Sequence, residues 1–424
     1  MRGVEACRGS AARPPVVNAG NRILLYPAAS LMLFLPAFAW FYWPAADGLD
    51  VSGYPIGRDF INIWSGPQLA FHGRLSTLFD PEAYQAAIGA LFGHALPFHN
   101  WSYPLFALPA FWPLSELPYF PALAVWTLAT FAAYAGVVLS QLASPSRPYA
   151  LLGLIAAPAV LLNLVAGQNG FLSAALLLGG ILWLDRRPTM AGVLFGLLAF
   201  KPQLGLVLPF ALVALGTWRA IAAAALTVCV LVTASVALFG LEAWRQYLHV
   251  TAAYQWLLLE EFQGFYTAMM PSVFAGARAS GFSYPVAMSI QVAVALSVVA
   301  GTCMAVQRTS DPCRRALVLA SAAALVTPYA FNYDLTAIAA AMIWMLWGRL
   351  PWRAEWSAVC LLGWLVPVLV MVLNPLGLGI APLGLAALFW LSIRETREGL
   401  DPAESAVLRP QTGVGLLPRR SSAA

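Results

Sequence analysis

The chain has 424 residues, enough for two or three soluble domains, but 61% hydrophobic and 10% charged residues with a mean hydropathy of +0.75 exclude a water-soluble protein. The net charge of +5 says little about partners other than membrane lipids, because Arg and Lys in such a chain are placed by topology, and no nucleic acid is expected. Cysteines at 7, 229, 303, 313 and 360 form no CxxC pair, so neither a disulfide framework nor a thiolate metal site is expected.

Residues 1–22 carry Arg2, Arg8, Arg13 and Arg22 and lead into an apolar stretch from Ile23 to Trp43. That stretch is longer than the apolar region of a cleaved signal peptide and reads as a signal anchor behind a cytoplasmic N-terminal segment, with Ala37-Phe38-Ala39 the one place that suits processing. Further apolar runs follow at 118–142, 149–166, 169–184, 189–200, 203–216, 219–239, 284–306, 315–328, 331–347, 356–373 and 377–393. The expected fold class is therefore an all-α polytopic integral membrane protein, one domain over 23–393 with about twelve transmembrane helices. Several runs are too short to cross a hydrocarbon layer about 30 Å thick as straight helices, so broken or half-buried helices are expected. The polar tail 394–424 is expected to be cytoplasmic and disordered.

Orientation turns on 189–216, either one kinked helix or two short ones meeting at Lys201-Pro202. Two helices put the arginines near 147, 186, 219, 308–315, 349 and 394 on the side of both termini and leave Arg58, Arg74, Lys201, Arg245 and Arg278 outside. One helix would send the later clusters outward, against the positive-inside bias, so two are preferred. Two long outer segments result, 44–118 and 240–284. In the first, Phe60 to His72 and Pro81 to Gly93 have helical apolar spacing and are expected to lie along the membrane surface. Asp80-Pro81 reads as a helix cap, and Tyr103 to Pro113 as an interfacial or re-entrant piece. Arg over Lys usage and abundant Ala point to a GC-rich bacterial genome, hence a bacterial cytoplasmic membrane.

Few residues can carry chemistry. Asp59, in Gly57-Arg58-Asp59-Phe60, is placed to act as a general base on an acceptor hydroxyl; it equally suits a helix start or an ion pair with Arg58. Lys201, the lone lysine, stands between two apolar runs, where it either holds a phosphate as a point charge or snorkels from a helix end. Gly167-Gln168-Asn169-Gly170 is a tight polar turn whose amides are also within reach of a sugar hydroxyl. Asn332-Tyr333-Asp334 forms a second polar turn, with Asp334 either functional or a helix-start carboxylate. The four histidines are scattered, without metal-binding spacing, and no nucleotide-binding loop is present, so no metal or cofactor is expected.

Arg58-Asp59-Phe60 with Trp64, Leu78-Phe79-Asp80-Pro81 with Tyr84, Tyr103-Pro104 and Pro113-Leu114 resemble the opening of the GT87 glycosyltransferases of the GT-C superfamily. Gly167-Gln168-Asn169, Ala191-Gly192-Val193, Gly196-Leu197 and Lys201-Pro202 are similar to that family's middle, and the likeness runs in order over residues 50–350. The resemblance implies a GT-C bundle, a polyprenyl-phosphate sugar donor with mannose foremost, a lipid or glycan acceptor on the outer face, and inversion with Asp59 as base. From their charge, rather than from the resemblance, Lys201 and Arg58 are expected to lie by the donor phosphate. Gln168, Asn169, Tyr103, Asn332, Tyr333 and Asp334 would contact substrate. The chain departs from the family at 327–334, where many members carry a histidine pair and this one has Tyr333-Asp334, so phosphate recognition by histidine does not carry over. The rival class is a multi-pass transporter or lipid-carrier flippase, which predicts charges paired within spans and pseudo-symmetric halves; neither is visible in the sequence.

Overall fold

The computed structural model describes residues 20–261, 265–350 and 356–398; the N-terminal segment and most of the C-terminal tail lie outside them. Among the described residues the secondary structure is helical, with two isolated bridges in the first loop. In chain order the helices are α1 (Gly20–Phe41), α2 (Phe60–Phe71), α3 (Pro81–Phe92), α4 (Ala107–Ser115), α5 (Tyr119–Ser140), α6 (Arg147–Ile155), α7 (Pro158–Ala166), α8 (Gly170–Trp183), α9 (Pro188–Leu197) and α10 (Leu208–Ala214). They continue with α11 (Trp218–Gln246), α12 (Ala252–Glu261), α13 (Phe265–Ala268), α14 (Val273–Ala279), α15 (Tyr284–Gln307), α16 (Pro312–Val326), α17 (Thr336–Leu346), α18 (Ser357–Leu373) and α19 (Ala381–Glu398).

Among the described residues only α5, α15 and the run from α11 into α12 are each long and apolar enough to cross a membrane alone; α6 and α7 qualify as a pair bent by 63°. The bend follows from Pro158, which has no N–H to continue the ladder and holds Ala157 extended at ψ 135°. The twelve apolar runs are thus present as helical pieces, several broken or short, rather than as twelve straight spans. Gly240, at φ 82° and ψ 162°, kinks α11 where the sequence reading ends the seventh span.

The ambiguous stretch at 189–216 breaks at Lys201, which has non-helical angles (φ −132°, ψ 71°) between two 3-10 turns. Gly192 lies against Ala220 and Ala223, and Gly196, one turn later, against Ala224 and Thr227. α9 and α11 therefore run in the same direction. The chain between them must return, so α9 and α10 form a helical hairpin with Lys201 at its tip.

One expectation fails. α2 does not lie along a surface: every residue but Gln68 and Phe71 is buried, because α4 and Trp101 cover its outer side and the Trp101 ring fills the space over Gly66. α3 does behave as an amphipathic surface helix, burying Tyr84 and Ile88 one turn apart. Asp80 caps it, accepting from the Glu82 and Ala83 N–H groups at 3.0 Å each.

The loops fall into two groups. Asp185 pairs with Arg315 at 2.8 Å and Asp311 with Arg349 at 2.9 Å, gathering turns that the parity reading puts inside. The turns that it puts outside meet at a cavity instead. The α9–α11 contact permits a simple test, since a Cβ on Gly192 would stand 2.2 Å from the Ala220 carbonyl oxygen, a backbone atom. Gly192→Val is expected to destabilise the protein by about 1–3 kcal/mol, read as a lowered melting temperature in detergent.

Candidate active site

The site begins with two interlocked turns. Gly57 and Arg58 both have positive φ, 87° and 37°, an arrangement that is costly for arginine and reverses the chain just before α2. Gly167, at φ 55°, ends α7 in the left-handed conformation. The turns touch so closely that a Cβ on Gly167 would lie 2.7 Å from the Gly57 carbonyl oxygen. One face of α5 clamps both: the Tyr119 hydroxyl donates to Ile56 O (2.9 Å), Trp126 Nε1 donates to Gly167 O (3.1 Å), and the Leu123 side chain between them packs on both glycines. Residues 119, 123 and 126 share a helix face by their spacing, and this face brings Asp59 to Gln168.

Asp59 stands at the N-terminus of α2 yet makes no capping hydrogen bond. Instead its Oδ2 accepts from Gln168 Nε2, and its side chain is 41% exposed toward the cavity. Nor does it pair with Arg58. The Arg58 guanidinium bonds Asp50 Oδ2 at 2.9 Å and the Phe41 carbonyl, and lies between the Tyr42 and Tyr54 rings at 4.1 and 4.7 Å.

Across the cavity, Lys201 Nζ donates to Asn169 Oδ1 (2.8 Å) and to Asp334 Oδ1, and faces the Tyr333 ring at 4.7 Å. The Lys201 and Asp334 side chains are 6% and 1% exposed, so the lysine does not snorkel. Asp334 also serves its local helix start, its Oδ2 accepting from Phe331 N at 3.1 Å. Asn169 Nδ2 donates to the Tyr103 hydroxyl (2.7 Å), and Asn163 ties the two polar turns by donating to Tyr333 O (2.7 Å) while accepting from Gly170 N (2.8 Å). Asn332 is held by Met269 O and Pro367 O at 2.9 Å each.

These groups surround a cavity of about 510 Å³ whose wall includes Arg58, Asp59, Tyr103, Gln168, Asn169, Lys201, Asn332 and Tyr333. Asp334 lies behind Lys201, off the wall. Tyr247, Trp256, Leu258 and Leu259 add apolar surface to the same wall, so one space offers both polar groups and hydrocarbon. A carboxylate with room for a hydroxyl, opposite an ammonium held among hydrogen-bond acceptors, suits proton abstraction beside an anionic group.

Sequence reasoning missed three groups. Asp50 neutralises Arg58 from within the same loop. The Lys201–Asp334 pair spans 133 residues and supplies the paired charge that the sequence reading did not find. His99 approaches Asp59, Nε2 to Oδ1 at 3.9 Å; burial holds its imidazole below the ordinary range, with the Asp59 charge opposing. No local pattern marks these partners, which only folding brings together.

Removing one member of the buried pair strands the other. Lys201→Met or Asp334→Leu alone is expected to lower stability by about 3–5 kcal/mol, and the double substitution to recover most of it, as thermal unfolding of the four proteins in detergent would show.

Comparison with known proteins gives one match: the family model described as Glycosyltransferase family 87 covers residues 101–328. No curated protein and no solved structure matches. The matched stretch contains Tyr103, Gln168, Asn169 and Lys201; Asp59 precedes it and Asp334 follows it.

Proposed function

The chain belongs to glycosyltransferase family 87, and we propose that it moves a hexose, mannose foremost, from a polyprenyl-phosphate donor to a lipid or glycan acceptor on the outer face of a bacterial cytoplasmic membrane. The observation that carries this is the meeting of Asp59, Gln168, Asn169 and Lys201 on the wall of one cavity that also carries apolar side chains. Had Asp59 and Lys201 opened onto different faces, they could not share a reaction.

In the proposed step the acceptor hydroxyl sits against Asp59, the carboxylate takes its proton, and the oxygen attacks the anomeric carbon from the face opposite the departing phosphate, which inverts the configuration. Gln168 holds the unreacting carboxylate oxygen and so aims the other. Lys201 and Arg58 are the cavity's cations, balanced by Asp334 and Asp50. A donor phosphate held beside them would draw on the donors of the ammonium and guanidinium, while the aspartates spare the resting site two bare charges. Tyr103, Asn169, Asn332 and Tyr333 offer hydroxyl, amide and ring surfaces for the sugars. The hydrocarbon wall of Tyr247, Trp256, Leu258 and Leu259 suits the first part of a lipid chain. The segregation of Asp185–Arg315 and Asp311–Arg349 from this cavity supports placing the site on the outer face.

A transporter would also carry a paired charge inside its bundle, and Lys201–Asp334 is such a pair. Membership of a glycosyltransferase family decides between the two classes.

Purified protein would be assayed for transfer from polyprenyl-phosphate hexoses to an extracted envelope-lipid pool, beside an Asp59→Asn variant. The variant is expected to lose about a hundred- to ten-thousand-fold in rate while melting like the wild type; equal transfer by both would remove Asp59 from the chemistry.

A further inference from the structure

His99 is held by α3 and by its own turn. Its backbone N–H donates to Gln85 Oε1 at 2.8 Å, and Gln85 Nε2 in turn donates to the Pro97 carbonyl at 3.0 Å, so α3 fixes this turn. Its Nδ1 lies 2.7 Å from the same Pro97 carbonyl, which can only accept; Nδ1 therefore carries a proton. In the neutral ring that burial favours, Nε2 is then a bare lone pair. This atom is buried and has no hydrogen-bond partner, and its side chain is 1% exposed.

A buried acceptor without a donor is costly and calls for an explanation. Nε2 is too enclosed for water or a substrate hydroxyl to reach it. The group that faces it is Asp59 Oδ1, 3.9 Å away, and a carboxylate cannot donate. Once Asp59 carries a proton, it can.

Resting on the reading of Asp59 as base, we infer that His99 is a positioning residue for Asp59, its Nε2 receiving the hydrogen bond that the Asp59 carboxyl donates only after taking the acceptor's proton. The acceptor O–H bond breaks and its proton moves to Oδ1. The acceptor oxygen forms the new bond to the anomeric carbon, and the old carbon–oxygen pair leaves with the phosphate. A carboxyl closing about 1 Å toward His99 then reaches ordinary hydrogen-bond distance. Before transfer the two acceptors make no bond, so the interaction favours the state in which the proton has moved. Protonation of His99 would reverse this, because Nε2 would then donate to the carboxylate and hold it charged. The other titratable groups facing the ring are Arg58 and Tyr54, from the turn before α2; Gln85, from α3, does not titrate.

The test uses full-length protein in detergent, with polyprenyl-phosphate mannose and the other polyprenyl-phosphate hexoses as donors and extracted envelope lipids as acceptors. His99→Gln places an amide near Nε2. It is expected to lower kcat by about three- to tenfold, to leave the donor KM unchanged, and to remove one proton's steepness from the acidic limb of the rate–pH profile. His99→Asn, which keeps a group for Pro97 and none at the Nε2 position, carries the test if the first variant melts early. A kcat within twofold of wild type and an unaltered acidic limb, with Asp59→Asn inactive, would overturn the role of His99 alone. Full activity of Asp59→Asn would overturn the base and His99 with it, and absence of wild-type transfer from every donor would overturn the reading on which both rest.

Discussion

An ammonium in apolar surroundings must be met by charge or by hydrogen bonds, and Lys201 is met by both, through Asp334 and Asn169. Three distant pieces of chain are thereby joined: the tip of the α9–α10 hairpin, the turn between α7 and α8, and the start of α17. Asn163 repeats the connection in uncharged form, bonding Tyr333 O and Gly170 N. Backbone leaves helical geometry at these turns, where its polar groups need partners from outside. The side-chain amides of Asn163 and Asn169 supply some of them. The cavity follows, because three turns fastened to one another at the ends of short helices leave a space that the helices do not fill.

The first loop completes this space from the other side. α5 holds both glycine turns through Tyr119, Leu123 and Trp126, so the position of Asp59 is set by helix packing rather than by the loop's own stiffness. Residues ahead of α2 are secured by Arg58, whose bonds to Asp50 and Phe41 and contacts with Tyr42 and Tyr54 tie the loop back to the end of α1. The exposed carboxylate of Asp59 thus projects from a rigid frame, a condition for useful proton transfer. Most of α2 is buried for the same reason: it is the floor of the site, covered by α4 and Trp101.

The apolar character of the chain, its helical class, the positions of its apolar helices and the polar turns at 57–59, 167–170, 201 and 332–334 were legible in the sequence, because each is a local property. Hydrophobic run length marks a helix suited to lipid, and glycine beside amides marks a turn. A lone lysine between apolar runs marks a place where charge must be met. The resemblance of short ordered motifs likewise survives without coordinates, and the family match over residues 101–328 agrees with it.

Pairing and burial were decided elsewhere. Asp334 meets Lys201, Asp50 rather than Asp59 meets Arg58, and His99 comes within 3.9 Å of Asp59, none of which any spacing announces. The break in 189–216 falls at Lys201, as the arginine distribution favoured, but the parallel course of α9 and α11 is a packing relation made by the close approach of Gly192 to Ala220. α2 has the apolar spacing of a surface helix, yet α4 covers it. The sequence by itself determined which segments are apolar and where helices must break, since these depend on neighbouring residues; only the tertiary structure decided which charges meet and which faces are covered, since those depend on residues far apart in the chain.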